Sequence, residues 1–414
     1  MRSKNALLRA LGAFGLALGT AWVPGCGGGG GDNNVSSAQV PNMPANQVVV
    51  AVASGLQGVP NLPTVSVTVC APGTATCQTI DNIQVDTMSF GLRLVGTAAS
   101  QVLSTLPVQT DGSGHQIAEC AIFADGFTWG TIRTADVRIG GESASSVPIN
   151  ILGDMSLPPP ASCTQNAPGG AENSVSALGV NGILGVGVTP YDCGSLCAMS
   201  AADSSYYACS GSACTQTAQP LASQVTNPVA KFAVDNNGVI LAMPGVGQGG
   251  AVSVSGTLTF GIGTQSNNAV QGAQTFGTNA HGDISSTNFS GTVNSGLAFF
   301  DSGSNGYFFN DSSLVICPSP ANGFFCPQTT TSRVATVSSA SAPVASTTVT
   351  MTIANANSLF SGAATANFAF SNLAGPFGLP NFVDFGMPFF YGRTVYFGYD
   401  RQPLGGTQTP YVAF

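Results

Sequence analysis

Two stretches decide how this chain reads: Ile83-Gln84-Val85-Asp86-Thr87-Met88-Ser89 and Leu297-Ala298-Phe299-Phe300-Asp301-Ser302-Gly303-Ser304. In each, an aspartate ends an apolar run and is followed by a hydroxyl residue, a turn position and a serine. Acidic residues are scarce, since Asp, Glu, Lys and Arg together make up 7% of the 414 residues. Two strand-end aspartates in matching frames therefore point to a duplicated unit with one carboxylate per copy. That is what a pair of carboxylates sharing one proton requires.

The flanking sequence has the character of strands and turns. Gly 53 and Pro 25, with abundant Ser, Thr and Val, favour an all-β chain. Val48–Val52 reads as a first strand. Val65–Cys70 and Cys77–Val85 form a hairpin leading into Asp86, and Phe90–Val95 follows it. Cys120–Ile139 reads as a second hairpin with Ala124-Asp125-Gly126 at its tip. Val180–Gly187 is an apolar segment interrupted by glycines, which let backbones approach closely. Ala230–Met243 reads as strand around an Asn236-Asn237-Gly238 turn. The second half repeats the order, with Val252–Ile262, Gly296–Phe300, Tyr307–Phe309, Thr347–Ile353, Ala364–Phe370 and Thr394–Tyr399 as strands.

At the N-terminus, Arg2, Lys4 and Arg9 precede an apolar stretch, Ala10–Val23, too short for a membrane span. Cys26 and five glycines follow it. The pattern resembles a bacterial lipoprotein signal: residues 1–25 would be the signal peptide, Cys26 the lipidated residue and 26–45 a flexible tether. The expected location is the bacterial cell envelope, as an outer-membrane lipoprotein facing periplasm or exterior. The membrane partner would be reached through the lipid anchor at Cys26. The net charge of −8 and the absence of a basic patch argue against nucleic acid as a partner.

Eleven cysteines leave ten once Cys26 is set aside, enough for five disulfides in an oxidising compartment. Cys70 and Cys77 flank a Pro-Gly turn, Cys317 and Cys326 bracket another loop, and Cys120 and Cys163 remain for each other. Cys193, Cys197, Cys209 and Cys214 crowd an insertion at 189–215, where three pairings are possible. A metal reading is weak, because His115 and His281 lie far from that cluster in sequence, and no cofactor is expected. A serine hydrolase is disfavoured too, since Ser302 stands where a nucleophile elbow needs its first glycine.

Taken together, these residues resemble the pepsin-like aspartic peptidases, over roughly residues 46 to 414. Asp86-Thr87-Met88-Ser89 and Asp301-Ser302-Gly303-Ser304 look like that family's two Asp-Thr/Ser-Gly-Thr/Ser motifs. Ile183-Leu184-Gly185 and Phe385-Gly386 look like its later apolar–Gly elements, with Asp384 where an apolar residue is usual. The resemblance implies a bilobal double β-barrel with a cleft between lobes, here 46–228 and 229–414. It implies that Asp86 and Asp301 activate a water to hydrolyse a peptide or protein substrate, with the chain acting as a monomer. Thr87 and Ser302 would lock the loops across the lobes, and Ser89, Gly303 and Ser304 would orient the carboxylates. Phe123, Asp125 and Gly126 would form a flap over substrate, with Phe123 in place of the family's tyrosine. Met88 replaces a glycine, and its Cβ is expected to force the turn open or to fill the cleft floor. The competing expectation is a catalytically inactive envelope lipoprotein that binds extended peptides or other ligands in the cleft.

Overall fold

A computed structural model describes residues 43–165, 167–287, 296–361, 365–378 and 381–414. The export signal, Cys26 and most of the tether lie outside these residues. The protein is all-β, 40% strand and 10% helix, with one closed six-stranded barrel and one nearly closed seven-stranded barrel.

The first barrel begins with the hairpin Pro63–Cys70 and Cys77–Asp86. Val65, Val67 and Val69 alternate inward while Ser66 faces solvent, the period-2 pattern of a strand with one wet face. Each buried valine contributes about 1.5–3 kcal/mol. Around the barrel, Cys77–Asp86 is followed by Gly182–Val186, Phe90–Val95, Glu142–Leu152 and Phe127–Ile139. Phe127–Ile139 closes the circle by pairing Val69 with Val137. The second barrel runs Ser346–Ile353, Thr331–Ser338, Ile284–Thr287, Gly296–Phe300, Phe382–Phe385, Tyr307–Phe309 and Ala374–Gly375. Its core is aromatic: the Phe300 ring lies 5.1 Å from Phe385, 4.6 Å from Phe389 and 4.8 Å from Phe414.

An antiparallel sheet joins the two barrels. Gln47–Val52 pairs through all six residues with Val254–Phe260, and Gly238–Met243, Arg393–Gly398, Tyr411–Ala413 and Thr275–Gly277 continue the sheet. The cysteine-rich insertion is no separate module. Its hairpin Tyr206–Ser210 and Ala213–Gln216 adds two strands beside Gln116–Ile122. All five disulfides form: Cys70–Cys77, Cys120–Cys163, Cys317–Cys326, Cys193–Cys197 and Cys209–Cys214.

Two expected strands need correction. Ala230–Met243 is a strand only from Gly238 onward. Before it, Pro228–Lys231 is a short 3-10 helix, because Pro228 fits the first turn and the Asn227 side chain caps Val229 N–H. Within Ala364–Phe370, residues 365–370 form no strand: 365–366 are a 3-10 turn and Ala369 makes a single bridge to Ala251. There the Asn61 amide takes both the N–H and the C=O of Phe370, replacing a neighbouring strand. Glu142–Leu152 and Thr331–Ser338 are strands the sequence did not announce.

Candidate active site

Asp86 ends its strand and turns into Thr87-Met88-Ser89. Its Oδ1 accepts N–H bonds from Met88 at 2.9 Å and Ser89 at 3.1 Å, and the Ser89 hydroxyl bonds Oδ2. Asp301 repeats the pattern. Gly303 N–H donates to its Oδ1 at 2.9 Å, and the Ser304 hydroxyl donates to its Oδ2 at 2.9 Å. Each carboxylate is thus oriented by backbone and hydroxyl donors. Both aspartates are fully buried.

The two turns interlock across the lobes. Thr87 Oγ1 donates to Phe300 C=O at 2.7 Å and accepts from Ser302 N–H at 2.9 Å. Ser302 Oγ donates to Val85 C=O at 2.8 Å. These bonds join the residues next to Asp86 and Asp301, so the chain brings both aspartate turns to one place. Each loop rests on a glycine from a parallel strand. Asp86 is in register with Gly185, and a Cβ at Gly185 would lie 2.6 Å from Phe90 N. Phe300 is in register with Phe385, so Gly386 stands beside Asp301, where a Cβ would lie 2.1 Å from Gly306 C=O. Gly187 N–H and Met387 N–H then donate to the carbonyls of Ser89 and Ser304. The duplication expected from the two motifs therefore extends to a matching set of hydrogen bonds.

Two buried amides complete the frame, and the sequence reading passed over both. Gln84 Nε2 donates to Gly303 C=O at 2.9 Å. Asn61, at φ 57°, donates to the carbonyls of Asn305 and Phe370 and accepts from Phe370 N–H and the Tyr391 hydroxyl. Their signal was a polar residue next to an apolar run (Gln84 between Ile83 and Val85), which a one-face strand reading assigns to solvent.

Met88 does not force its turn open. The Met88 N–H to Asp86 bond has the same 2.9 Å length as its Gly303 counterpart. Among the described residues the non-glycines with positive φ are Asn61, Asn82, Ser146 and Asn381, so Met88 sits in an ordinary backbone region. Its side chain is 4% exposed, and a Cβ added at Gly282 would come 3.3 Å from the Met88 sulfur. The thioether thus runs from the first lobe to the 279–283 loop of the second, where Gly282 (φ +89°) leaves room for it.

Phe123 belongs to the lobe interior. Its ring is 3% exposed and packs with Val59, Leu62, Val95, Leu178 and Ile183. Gly126 C=O accepts from Phe123 N–H, closing the hairpin tip around Ala124 and Asp125. Phe127 exchanges bonds with Gly170 and Glu172, and a Cβ at Gly126 would meet Gly170 C=O at 2.5 Å. The tip is therefore bound to 169–172 rather than free. Trp129 likewise packs edge-on to Tyr207 and donates to Leu157 C=O.

Beneath this hairpin lies a fully buried charged group. One Arg93 nitrogen meets Glu119 at 2.6 Å and Asp192 at 3.0 Å, while another donates to Phe90 C=O at 2.7 Å. The Tyr206 hydroxyl donates to Asp192 at 2.5 Å and accepts from Val225 N–H. Burial pushes the Asp192 carboxyl well above the usual carboxylate range. The neighbouring Glu119 adds to this shift, and the Arg93 guanidinium opposes it. Since Phe90 follows Ser89, this group is tied to the Asp86 turn.

His115 lies in a turn of its own, and His281 precedes Gly282 in the loop that meets Met88. His115 Nδ1 bonds Asp111 within a turn, and His281 N–H bonds Asn279 in a loop. Among the described residues no three His, Cys, Asp or Glu side chains converge to hold a metal, and no helix is long and apolar enough to cross a membrane. The chain matches no curated protein sequence. Residues 42–414 match the family described as "Protein of unknown function (DUF3443)", and the chain belongs to that family.

Proposed function

We propose that this protein is an aspartic endopeptidase of the pepsin-like type, cleaving peptide bonds with a water activated by Asp86 and Asp301. The observation that carries the reading is the interlock of the two aspartate turns through Thr87 and Ser302. Two carboxylates held together favour one shared proton. The ionised partner draws a proton from the attacking water, and the protonated partner donates to the oxyanion forming at the peptide carbonyl. Ser89 and Ser304 hold the outer oxygens, so the inner ones face the water. The substrate is an extended peptide or protein segment. Its place of action is the bacterial cell envelope, reached through a signal peptide and lipidated Cys26, and the five disulfides suit such an oxidising compartment.

The test is denatured casein incubated with purified protein from pH 3 to 7, with and without a statine-type inhibitor. Cleavage that the inhibitor blocks, and that Asp301→Asn abolishes, is the expected result. Cleavage that survives Asp301→Asn, or none at any pH, overturns it.

A second reading rests on Met88. Its thioether against Gly282 and the full burial of both carboxylates favour a non-catalytic lipoprotein that binds extended peptides between the lobes. A peptide held without being cut, with equal affinity in wild type and Asp301→Asn, would select it.

A further inference from the structure

Resting on the peptidase reading, we propose that Arg93 is a positioning residue for the Asp86 carboxylate. Through it, the 116–139 hairpin and the cysteine-rich insertion set the geometry of the first aspartate turn.

The two halves of the chain supply the comparison. Asp86 to Arg93 corresponds residue for residue to Asp301 to Phe308, with Gly91 and Gly306 at the same place in each. Phe90 and Asn305 are therefore equivalent. Each follows the serine whose hydroxyl bonds Oδ2 of its aspartate. In both lobes the carbonyl of this residue is held by a buried polar side chain. Arg93 donates to Phe90 C=O at 2.7 Å, and Asn61 donates to Asn305 C=O at 2.8 Å. The same backbone atom is thus pinned twice, by side chains of different origin. A shared fixed point next to both serines is what two aligned carboxylates need. The charge belongs to the first lobe alone, because Arg93's counterpart Phe308 packs among Ala321, Phe324, Phe370 and Leu373.

The group around Arg93 also grips the next residue. A Cβ at Gly91 (φ +90°) would lie 2.5 Å from the Val225 side chain, so Val225 rests directly on this backbone. Val225 N–H donates to the Tyr206 hydroxyl at 2.7 Å, and Val225 C=O accepts from Asp192 N–H at 3.1 Å. Phe90 is held through Arg93 and Gly91 through Val225, and both holds converge on Asp192 and Tyr206. A buried ion group is weak evidence of stability, since apolar replacements are often neutral or better. What it supplies is direction: a planar guanidinium fixes its N–H bonds to Phe90 C=O, Glu119 and Asp192 in a rigid fork. Movement of Phe90 would carry Ser89 with it, and with Ser89 both of its donors to Asp86. A carboxylate turned off line loses the attacking water.

The test compares wild type with Arg93→Met and with the triple variant Arg93→Met, Glu119→Gln, Asp192→Asn. The triple variant removes the bond to Phe90 C=O without leaving a buried charge, so it serves even if Arg93→Met fails to fold. Two quantities are read: cleavage of fluorescein-labelled casein, and amide hydrogen exchange in the two aspartate turns. In the triple variant kcat is expected to fall about a hundredfold with KM within about twofold of wild type. Exchange at the Met88 and Ser89 amides is expected to be about tenfold faster, with the Gly303 amide unchanged. A merely structural loss would speed both turns alike. The proposal is overturned by a kcat equal to that of active wild type, or by equal exchange changes in the two turns. If wild type cleaves nothing, the peptidase reading falls by itself. Exchange confined to the first turn would then still support the hold of Arg93 on Asp86, and unchanged exchange there would end it.

Discussion

At the scale of single residues, Thr87 and Met88 matter for opposite reasons. Thr87 Oγ1 is a shared acceptor and donor between lobes. Thr87→Val keeps the shape but leaves Ser302 N–H without that acceptor and Phe300 C=O without that donor. Unsatisfied buried polar groups cost about 1–3 kcal/mol each. A loss of about 2–4 kcal/mol is expected, measured by urea unfolding. Met88 is a packing residue beside the site. Met88→Gly removes the thioether that touches Gly282. It is expected to cost about 2–5 kcal/mol, as other large-to-small core changes do. It should also raise inhibitor-sensitive casein cleavage, because it clears the boundary between lobes while the Asp86 turn keeps its bonds. Casein assays on wild type and variant side by side check this, and an unchanged rate would remove Met88 as an obstacle. The motif residues were legible because Asp in an apolar context is rare in this chain. Gln84 and Asn61 were not, because an amide's value depends on carbonyls more than two hundred residues away.

Among the elements, the hairpin from Gln116 to Ile139 and the cysteine-rich insertion act as one unit. Glu119 sits in the hairpin, Asp192 and Tyr206 in the insertion, and Arg93 joins them to the strand after Asp86. The folded Asp192 carboxyl is raised above its unfolded value, so the folded state binds the proton more tightly. The stabilisation this gives is fully present below the unfolded carboxylate range and is lost as pH rises through the folded value. Thermal melts across pH 4 to 9 should therefore show wild type losing stability toward the alkaline side. Asp192→Asn should be flatter, since Arg93 and Glu119 remain paired without a second charge. Equal slopes would discount this group as a source of pH dependence. The Cys120–Cys163 bond fastens the same hairpin to the 161–164 turn over a separation of 43 residues. Replacing both cysteines by alanine is expected to cost about 3–5 kcal/mol by loop-closure entropy, read from denaturant midpoints. Pairings across short turns were legible in sequence. The insertion's role as added strands was not, because edge pairing depends on where Gln116–Ile122 leaves an open side.

At the scale of the whole molecule, the lobes are held by a continuous sheet and by a few hub residues. Asn61 makes four hydrogen bonds to three separate segments. Asn61→Gly tolerates the φ of 57° and so isolates the side chain. A loss of about 2–4 kcal/mol is expected, with faster hydrogen exchange at Phe370 as the local signature. The sequence by itself determined the all-β class, the disulfides flanking turns and the two aspartate turns. Period-2 alternation, turn chemistry and the rarity of acids are local signals. Only the tertiary structure decided that Met88 fits without strain, that Phe123 is buried in the lobe, and that one barrel stays short of closure. Those outcomes depend on which distant backbone supplies space or a hydrogen bond, and spacing along the chain does not encode that.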